Sequence, residues 1–219
     1  MQPPVKHIIA GNTFWLSAHR AVYWEEDRSL IVADLHLGKS GHFRKSGIGI
    51  PQTVFKEDML RLVNLLQFFK PARLIVVGDM FHSHANKEMD LFSRWRNDFP
   101  ALQVHLIKGN HDILKPEWYM AAGIKIHHDT LAIGNFIFQH EYQPVTQNDT
   151  AGKYLFAGHI HPGVRVKGPG RQTLSFPCFH FGDHLCTLPA FSRFTGLISI
   201  RRNKTDRVFA IVEDKVLQV

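Results

Sequence analysis

Five short apolar runs, each bounded by turn residues, limit the fold of this chain more than any other sequence feature. They cover residues 30–34, 73–79, 104–110, 136–140 and 154–161. Runs of this length without a polar face are typical of strands that are buried on both sides. The sequence therefore predicts a central sheet whose two faces are both covered.

Two helices are predicted between these runs. Apolar residues recur with helical spacing through 51–70, at positions 55, 59, 62, 63, 66 and 69, and Pro51 stands at its start. This spacing places the apolar side chains on one face of a helix. A second helix is predicted over 86–99. Strand and helix thus alternate, which predicts right-handed βαβ units in the first half of the chain.

The pattern changes from about residue 124, where short apolar segments are separated by turns, as in "GLISIRR" and "RVFAIVEDKVLQV". Segments of this kind favour antiparallel pairing. We therefore expect a mixed α/β (α+β) fold, in which strands of the second half cover the surface that the first half leaves open. The length of 219 residues suits a single domain over 1–219.

Composition narrows the class of protein. Lysine and arginine outnumber the acidic residues by 26 to 19, and the net charge of +7 favours anionic partners. No apolar run approaches the roughly 18 residues of a membrane span. The N-terminal stretch lacks the features of a secretory signal, so we expect a cytoplasmic protein that does not enter a membrane. Cys178 and Cys186 form no CxxC pair and are predicted to be core residues.

Every apolar run ends in side chains that commonly bind metals. They are Asp34 and His36, Asp79, Asn110 with His111, His140, and His159 with His161. In an α/β sheet, ligands bind outside the carboxyl ends of the strands, so these five endings should converge. Alternation along a strand would also turn both members of each i, i+2 pair to one side. A single histidine at a strand end is more often only hydrogen-bonded, but the complete series predicts a binuclear metal site.

The ligand set consists of carboxylate, imidazole and amide groups without a thiolate. Such a set suits manganese, iron, zinc or cobalt rather than a structural zinc site. We therefore expect two divalent ions, with manganese as the first choice.

The same residues resemble a known family. The motifs Asp34-Leu35-His36, Gly78-Asp79, Gly109-Asn110-His111-Asp112, His140 and Gly158-His159-Ile160-His161 are similar to those of the calcineurin-like metallophosphoesterases. Two further stretches, 33–51 and 177–196, resemble the DNA ligase-associated branch of that superfamily. The resemblance implies a four-layer αββα sandwich of two mixed sheets flanked by helices. It also implies a phosphodiesterase of DNA repair, with DNA ligase and helicase as partners.

The resemblance implies a role for each residue. Asp34, His36 and His161 would hold one metal, Asn110, His140 and His159 the other, and Asp79 would bridge them. A hydroxide between the metals would attack phosphorus. His111 would stabilise the transition state or protonate the leaving oxygen, and Asp112 would orient its imidazole. Glu141 replaces a glycine found in many members, which predicts altered substrate access.

Two groups of cations flank the predicted site. Lys39, His42, Arg44 and Lys45 follow the first motif, and Arg165, Lys167 and Arg171 follow the last. Any one of them alone is best interpreted as a solvated surface residue. Beside a phosphate-directed site, however, the group can bind further phosphates of a long substrate, and Phe43 adds a stacking face. His82 and His84 are not predicted to be ligands.

Three functions follow from these observations. The first is a binuclear phosphodiesterase acting on nucleic-acid ends or nucleotide-like diesters. The second is a phosphomonoesterase or nucleotide-pyrophosphate hydrolase with the same site. The third is an interaction module that has lost its chemistry, and the complete ligand series with His111 counts against it.

Overall fold

The structure is a computed structural model that describes residues 2–39, 53–81, 87–143, 152–168, 170 and 173–219. Three helices occur in these ranges: α1 (Thr53–Phe69), α2 (Lys87–Asn97) and α3 (Pro116–Ala121). The strands of the first half are β1 (Val5–Ile9), β2 (Asn12–Ser17), β3 (Ala21–Trp24), β4 (Ser29–Ala33), β5 (Arg73–Val77), β6 (Gln103–Ile107) and β7 (Ile124–His127). Those of the second half are β8 (Thr130–Ile133), β9 (Phe136–Gln139), β10 (Tyr154–Ala157), β11 (Pro162–Lys167), β12 (Thr173–Phe181), β13 (Leu185–Thr187), β14 (Ile198–Ser199), β15 (Arg207–Val212) and β16 (Lys215–Gln218).

The first sheet has the strand order β1-β2-β3-β4-β5-β6-β7. Strands β4 to β7 are parallel, and α1 and α2 connect β4 to β5 and β5 to β6. These are the predicted βαβ units, and both helices lie within their predicted ranges. The antiparallel meander β1 to β3 was not predicted. It begins with a two-residue turn in which Ala10 (φ 47°) and Gly11 (φ 77°) are both left-handed, the geometry of a tight hairpin.

The second sheet has the order β14-β11-β12-β13-β10-β9-β8, and β15 and β16 extend it from β12. Antiparallel pairing was predicted and is found for β8 with β9, β11 with β12 and β15 with β16. The prediction is wrong for β10, which runs parallel to both β9 and β13, and for β14 in the stretch "GLISIRR", which runs parallel to β11. It is also wrong for β7, which runs parallel to β6. A parallel neighbour requires a long crossover connection and not a tight turn, so the turn signals of this region do not reveal it.

Strand β4 shows how the layers are built, because all five of its residues are buried. Leu30 and Val32 pack towards the helices, in a cluster that includes Leu62 of α1 and Phe92 of α2. The alternate residues, such as Ile31, pack towards the second sheet in a cluster with its aromatic side chains, Phe136, Phe138, Phe156 and Phe179. The predicted sheet with two covered faces is therefore present.

The mixed α/β fold class with two mixed sheets is confirmed. Within the ranges given above, all three helices contribute to the cluster on the outer face of the first sheet. The described layers are therefore helices, first sheet and second sheet. Cys178 and Cys186 are both buried and free, in agreement with their predicted role as core residues.

Candidate metal centre

The predicted ligands meet at one edge because neighbouring strands end in register. Ala33 of β4 pairs with Val77 of β5, which pairs with Ile107 of β6. The three turns that follow these strands therefore start side by side, as expected at the carboxyl edge of a parallel sheet. In the second sheet, Gln139 and Ala157 end β9 and β10 in register, which brings the remaining motifs to the same place.

The ligand pairs lie beyond the strands and not on them. Because β4 ends at Ala33 and β10 at Ala157, strand alternation cannot align the i, i+2 pairs, and that part of the prediction is wrong. Left-handed backbone turns align them instead: φ is 53° at Asp34, 49° at His36, 46° at Asp79, 69° at His159 and 49° at His161. Each such residue costs on the order of 1–2 kcal/mol, and strain of this kind is concentrated at functional sites.

The first ligand group consists of Asp34, His36 and His161, and one ligand atom from each lies within 4.8 Å of the others. The side chain of Asp34 is fully buried, and its Oδ2 accepts a 3.0 Å hydrogen bond from the main-chain amide of His159. Its Oδ1 accepts no hydrogen bond in the part of the chain that the structure describes. A buried carboxylate oxygen in this position is available to a cation.

The second ligand group consists of Asp79, His140 and His159, within the same 4.8 Å limit. His140 Nδ1 donates towards the carbonyl oxygen of Val77 at 3.4 Å, which leaves the lone pair on Nε2. That Nε2 lies 3.1 Å from Oδ1 of Asn110, 3.2 Å from Nδ1 of His159 and 3.6 Å from Oδ1 of Asp79. Four side chains thus direct donor atoms at one point, as a metal ion requires.

The electrostatics also fit cations. Burial, with the negative charge of Asp79 second, raises the pKa of Asp34 well above its usual range. Buried carboxylates this close together are stabilised by a shared positive charge. The donors are oxygen and nitrogen atoms without a thiolate, a set suited to manganese, iron, zinc or cobalt. The residues present therefore fit two divalent ions.

Two positions in the site require glycine, because the side chains of predicted ligands approach their backbone closely. A Cβ atom at Gly78 (φ 76°) would lie 1.8 Å from Nδ1 of His140, and one at Gly109 would lie 2.2 Å from Oδ1 of Asp79. No side chain can occupy either position without displacing a predicted ligand. The glycine in each motif is therefore part of the site and not only of a turn.

The sequence matches the Calcineurin-like phosphoesterase family over residues 28–211, most of the chain and all of this site. The protein belongs to the calcineurin-like phosphoesterase family. The predicted membership is thus confirmed. This family depends on binuclear metal sites to hydrolyse phosphoesters, and the two ligand groups have the required composition.

Solved structures that resemble this calcineurin-like phosphoesterase include a nuclease and a further phosphoesterase. The Pseudomonas putida nuclease MPE is 29% identical, covers 99% of this chain and 100% of its own, and superimposes with a TM-score of 0.83. The phosphoesterase Yfce from E. coli is 14% identical over 87% of this chain and 97% of its own, and its TM-score of 0.44 is too low to bear on function. A search of curated proteins gave no match. None of the described helices is long and apolar enough to cross a membrane.

Hydrogen bonds join two of the motif turns of this phosphoesterase. Oδ1 of Asp79 accepts a 2.9 Å hydrogen bond from the main-chain amide of His111. In return, the carboxylate of Asp112 accepts 2.9 Å hydrogen bonds from the amides of Phe81 and Gly109. Asp112 therefore joins the two turns through their backbones. Its predicted contact with the imidazole of His111 stays a prediction.

His111 and Glu141 lie beside the ligand groups. The half-buried ring of His111 is 5.6 Å from the ring of His36, measured between centroids. Oε1 of the exposed Glu141 lies 3.9 Å from Nε2 of His159, the nitrogen that does not face His140. The replacement of glycine at this position thus places a carboxylate next to a predicted ligand.

The predicted cationic rim is only partly described. Lys39 is half-buried directly after the first motif, and Arg165 and Lys167 are exposed on β11. The other residues named for this rim, and the two histidines that were not predicted to be ligands, lie outside the described residues: His42, Phe43, Arg44, Lys45, His82, His84 and Arg171.

One neighbour of the site was missed by the sequence reasoning. The segment 190–196 lies against the first motif, where Ala190 forms a bridge with Ala33 and the amide of Ser192 donates to the carbonyl of Asp34 at 3.2 Å. Its only sequence signal was its place within the stretch 177–196 that resembles the DNA ligase-associated branch.

Proposed function

We propose that this phosphoesterase is a phosphodiesterase that acts on nucleic acid or on nucleotide-like diesters with two divalent ions, manganese being the first choice. The observation that carries the proposal is the convergence of two ligand groups at one edge of the sheets. Asp34, His36 and His161 form one group, and Asp79, His140 and His159 the other.

The ligand assignment follows the two groups. Asp34, His36 and His161 would hold one ion, and Asn110, His140 and His159 the other. Asp79 would bridge the two ions. Ions bound there would supply activated water and neutralise the charge of the phosphoester.

His111 is proposed to donate a proton to the leaving oxygen, a role in which histidine is the most frequent residue. Its ring lies next to His36 of the first ligand group, while its main-chain amide is bound to Asp79. Asp112 supports His111 by holding the turn that carries it. The carboxylate thus acts on the position of the turn, in addition to any effect on the imidazole.

The proposed substrate class is supported by the nuclease that this chain resembles over nearly its full length. The net charge of +7 favours a polyanion, and Lys39 adds a cation beside the first ligand group. Membership of the DNA ligase-associated branch, with ligase and helicase as partners, is proposed from the resemblance of the stretches 33–51 and 177–196.

The test is a substrate panel with metal-stripped protein that has been reconstituted separately with manganese, iron, zinc and cobalt. The panel consists of bis(4-nitrophenyl) phosphate, 4-nitrophenyl phosphate, ATP and single- and double-stranded oligodeoxynucleotides. We expect turnover of the diesters, including the oligonucleotides, to exceed that of the monoester and to disappear with a chelator. Preference for the monoester or for ATP would instead support the second function named above. Bound metals without turnover of any substrate would support an interaction module.

A further inference from the structure

An aromatic side chain and a lysine lie together beside the first ligand group. Nζ of Lys39 is 6.0 Å from the centroid of the Phe194 ring, and 40% of Phe194 is exposed. The amide of Lys39 donates a 3.1 Å hydrogen bond to the carbonyl of His36, so the backbone of the lysine is attached to the first motif. A solvent-exposed ring next to a cation is the usual element of single-strand recognition.

The segment that carries Phe194 is attached to the first ligand group on both sides. Before Phe194, the amide of Ser192 donates to the carbonyl of Asp34 at 3.2 Å. After it, the amide of Ile198 donates to the carbonyl of His161 at 3.0 Å. The position of Phe194 relative to the ligands Asp34 and His161 is therefore set by the backbone.

The half-buried Arg20 and the buried Arg61 hold the start of this segment. Arg20 donates to the carbonyls of Ala190 at 3.2 Å and Ser192 at 2.7 Å, and Arg61 donates to the carbonyl of Phe191. Arg61 is only 5% exposed and is paired with the buried Asp58 at 2.8 Å. These charge-assisted bonds give Phe194 a preorganised base, because three successive carbonyls cannot shift without breaking their hydrogen bonds to the two arginines.

Lys39 lies within electrostatic reach of both ligand groups. Partial burial lowers its pKa, whereas the carboxylates of Asp79 and Asp34 act in the opposite direction. An ammonium group in this position attracts an anion that approaches the metal centre. The ring of Phe194 offers the adjoining apolar surface, so one site combines a phosphate-binding charge with a base-stacking face.

We propose that Phe194 and Lys39 form a nucleotide platform, on which a base of the substrate stacks on Phe194 while Lys39 binds a phosphate next to the scissile bond. This inference rests on the proposed phosphodiesterase function and specifies its substrate as a base-bearing, unpaired strand. A base within a duplex is already stacked on both sides and is not available to the ring.

The test compares Phe194→Ala, Phe194→Trp and the wild type on two chains of equal length. One is a single-stranded oligodeoxynucleotide, and the other is a chain of tetrahydrofuran nucleotides that keeps the phosphodiesters but lacks bases. Phe194→Ala should raise the KM for the base-bearing chain about 5- to 100-fold, the range of one base–aromatic stack, and leave the abasic chain nearly unchanged. Phe194→Trp should restore the wild-type KM. Equilibrium binding of both chains, measured by fluorescence anisotropy in chelator where no cleavage occurs, should show the same difference.

Controls distinguish an effect on the platform from a general effect on the fold and from a failure of the proposed function. Phe68→Ala removes another exposed aromatic residue at the carboxyl end of α1, near the edge of the sheet where β5 begins. It should change neither the KM nor the binding of either chain. Lys39→Met should weaken binding of both chains. Equal effects of Phe194→Ala on the two chains, or none on either, would overturn the platform. Absence of turnover of bis(4-nitrophenyl) phosphate by the wild type would instead contradict the phosphodiesterase function, and the anisotropy comparison would still decide whether the base is bound.

Discussion

The main-chain amide of His111 donates a 2.9 Å hydrogen bond to Oδ1 of Asp79, so the proposed proton donor and the proposed bridging ligand form one unit. Asp112 reinforces this unit by binding the amides of Phe81 and Gly109. Changes at these three residues should therefore have different consequences, which separate ligation, proton transfer and positioning.

Replacing Asp79 by asparagine should remove the bridge and keep the fold, because an amide oxygen can still accept the hydrogen bond from His111. The shared negative charge is lost, so we expect fewer than two tightly bound ions and a fall in diester turnover of more than about 100-fold. Metal analysis by mass spectrometry and steady-state kinetics measure both. Asp206→Asn is the matched control, since Asp206 pairs with His180 at 2.8 Å outside the centre. Two tightly held ions and near-normal turnover in Asp79→Asn would refute the assignment.

Replacing His111 by alanine should leave both ions in place and lower turnover by roughly 10²–10⁴-fold, the usual contribution of a positioned acid. The loss should be smallest for substrates whose leaving groups need no proton, such as nitrophenolate. Turnover of bis(4-nitrophenyl) phosphate and of an oligonucleotide by the same preparation gives the comparison. Loss of metal from this variant would mean that His111 is a ligand.

Replacing Asp112 by asparagine should act on the turns rather than on the chemistry. Each of the two carboxylate oxygens accepts a hydrogen bond from one buried amide. An asparagine side chain has only one oxygen and can accept only one of these two bonds. The unpaired amide should lower the free energy of unfolding by about 1–3 kcal/mol and weaken metal binding about 10-fold. Thermal unfolding and metal titration measure these effects, and Asp129→Asn, at an exposed position, is the control. Loss of turnover with unchanged stability and metal affinity would show that Asp112 acts on the imidazole of His111 instead.

His7 should make the stability of the protein depend on pH. Its ring is 7% exposed and packs on Phe181 and Phe209, and burial, followed by the charge of Arg207, lowers its pKa to about 4. As the pH falls from 6.5 towards 4, the unfolded chain binds a proton that the folded chain does not, so this residue destabilises the fold at acid pH. We expect a contribution of about 2–3 kcal/mol between pH 7 and 4.5.

Denaturant unfolding of the wild type and of His7→Phe at pH 7 and pH 4.5 measures that contribution. The variant should lose less stability on acidification, because phenylalanine keeps the aromatic contacts and cannot bind a proton. Identical losses of stability in the two proteins would show that His7 is protonated equally in the folded and unfolded states.

Local features of the sequence were sufficient for the first half of the fold. The apolar residues of β4 to β6 and the helical spacing of α1 and α2 act within a few residues of the chain, so their pattern predicted the βαβ units. The β1–β2 hairpin also has a local signal, since Ala10 and Gly11 stand between two short alternating segments. The parallel pairing of β10 with β9 and β13 depends on a crossover and left no local pattern.

The sequence by itself determined which residues gather at the site and the family to which the chain belongs, because a motif at the end of each strand implies a common edge. Tertiary structure decided how they are held. Left-handed turns at Asp34 and His161 replace strand alternation, and the amide pairs made by Asp112 join turns that are distant in sequence. The contact of Ser192 with Asp34 spans most of the chain. A contact of this kind has no signature in the sequence, because it depends on two sheets packing face to face, and packing is set by the whole core rather than by neighbouring residues.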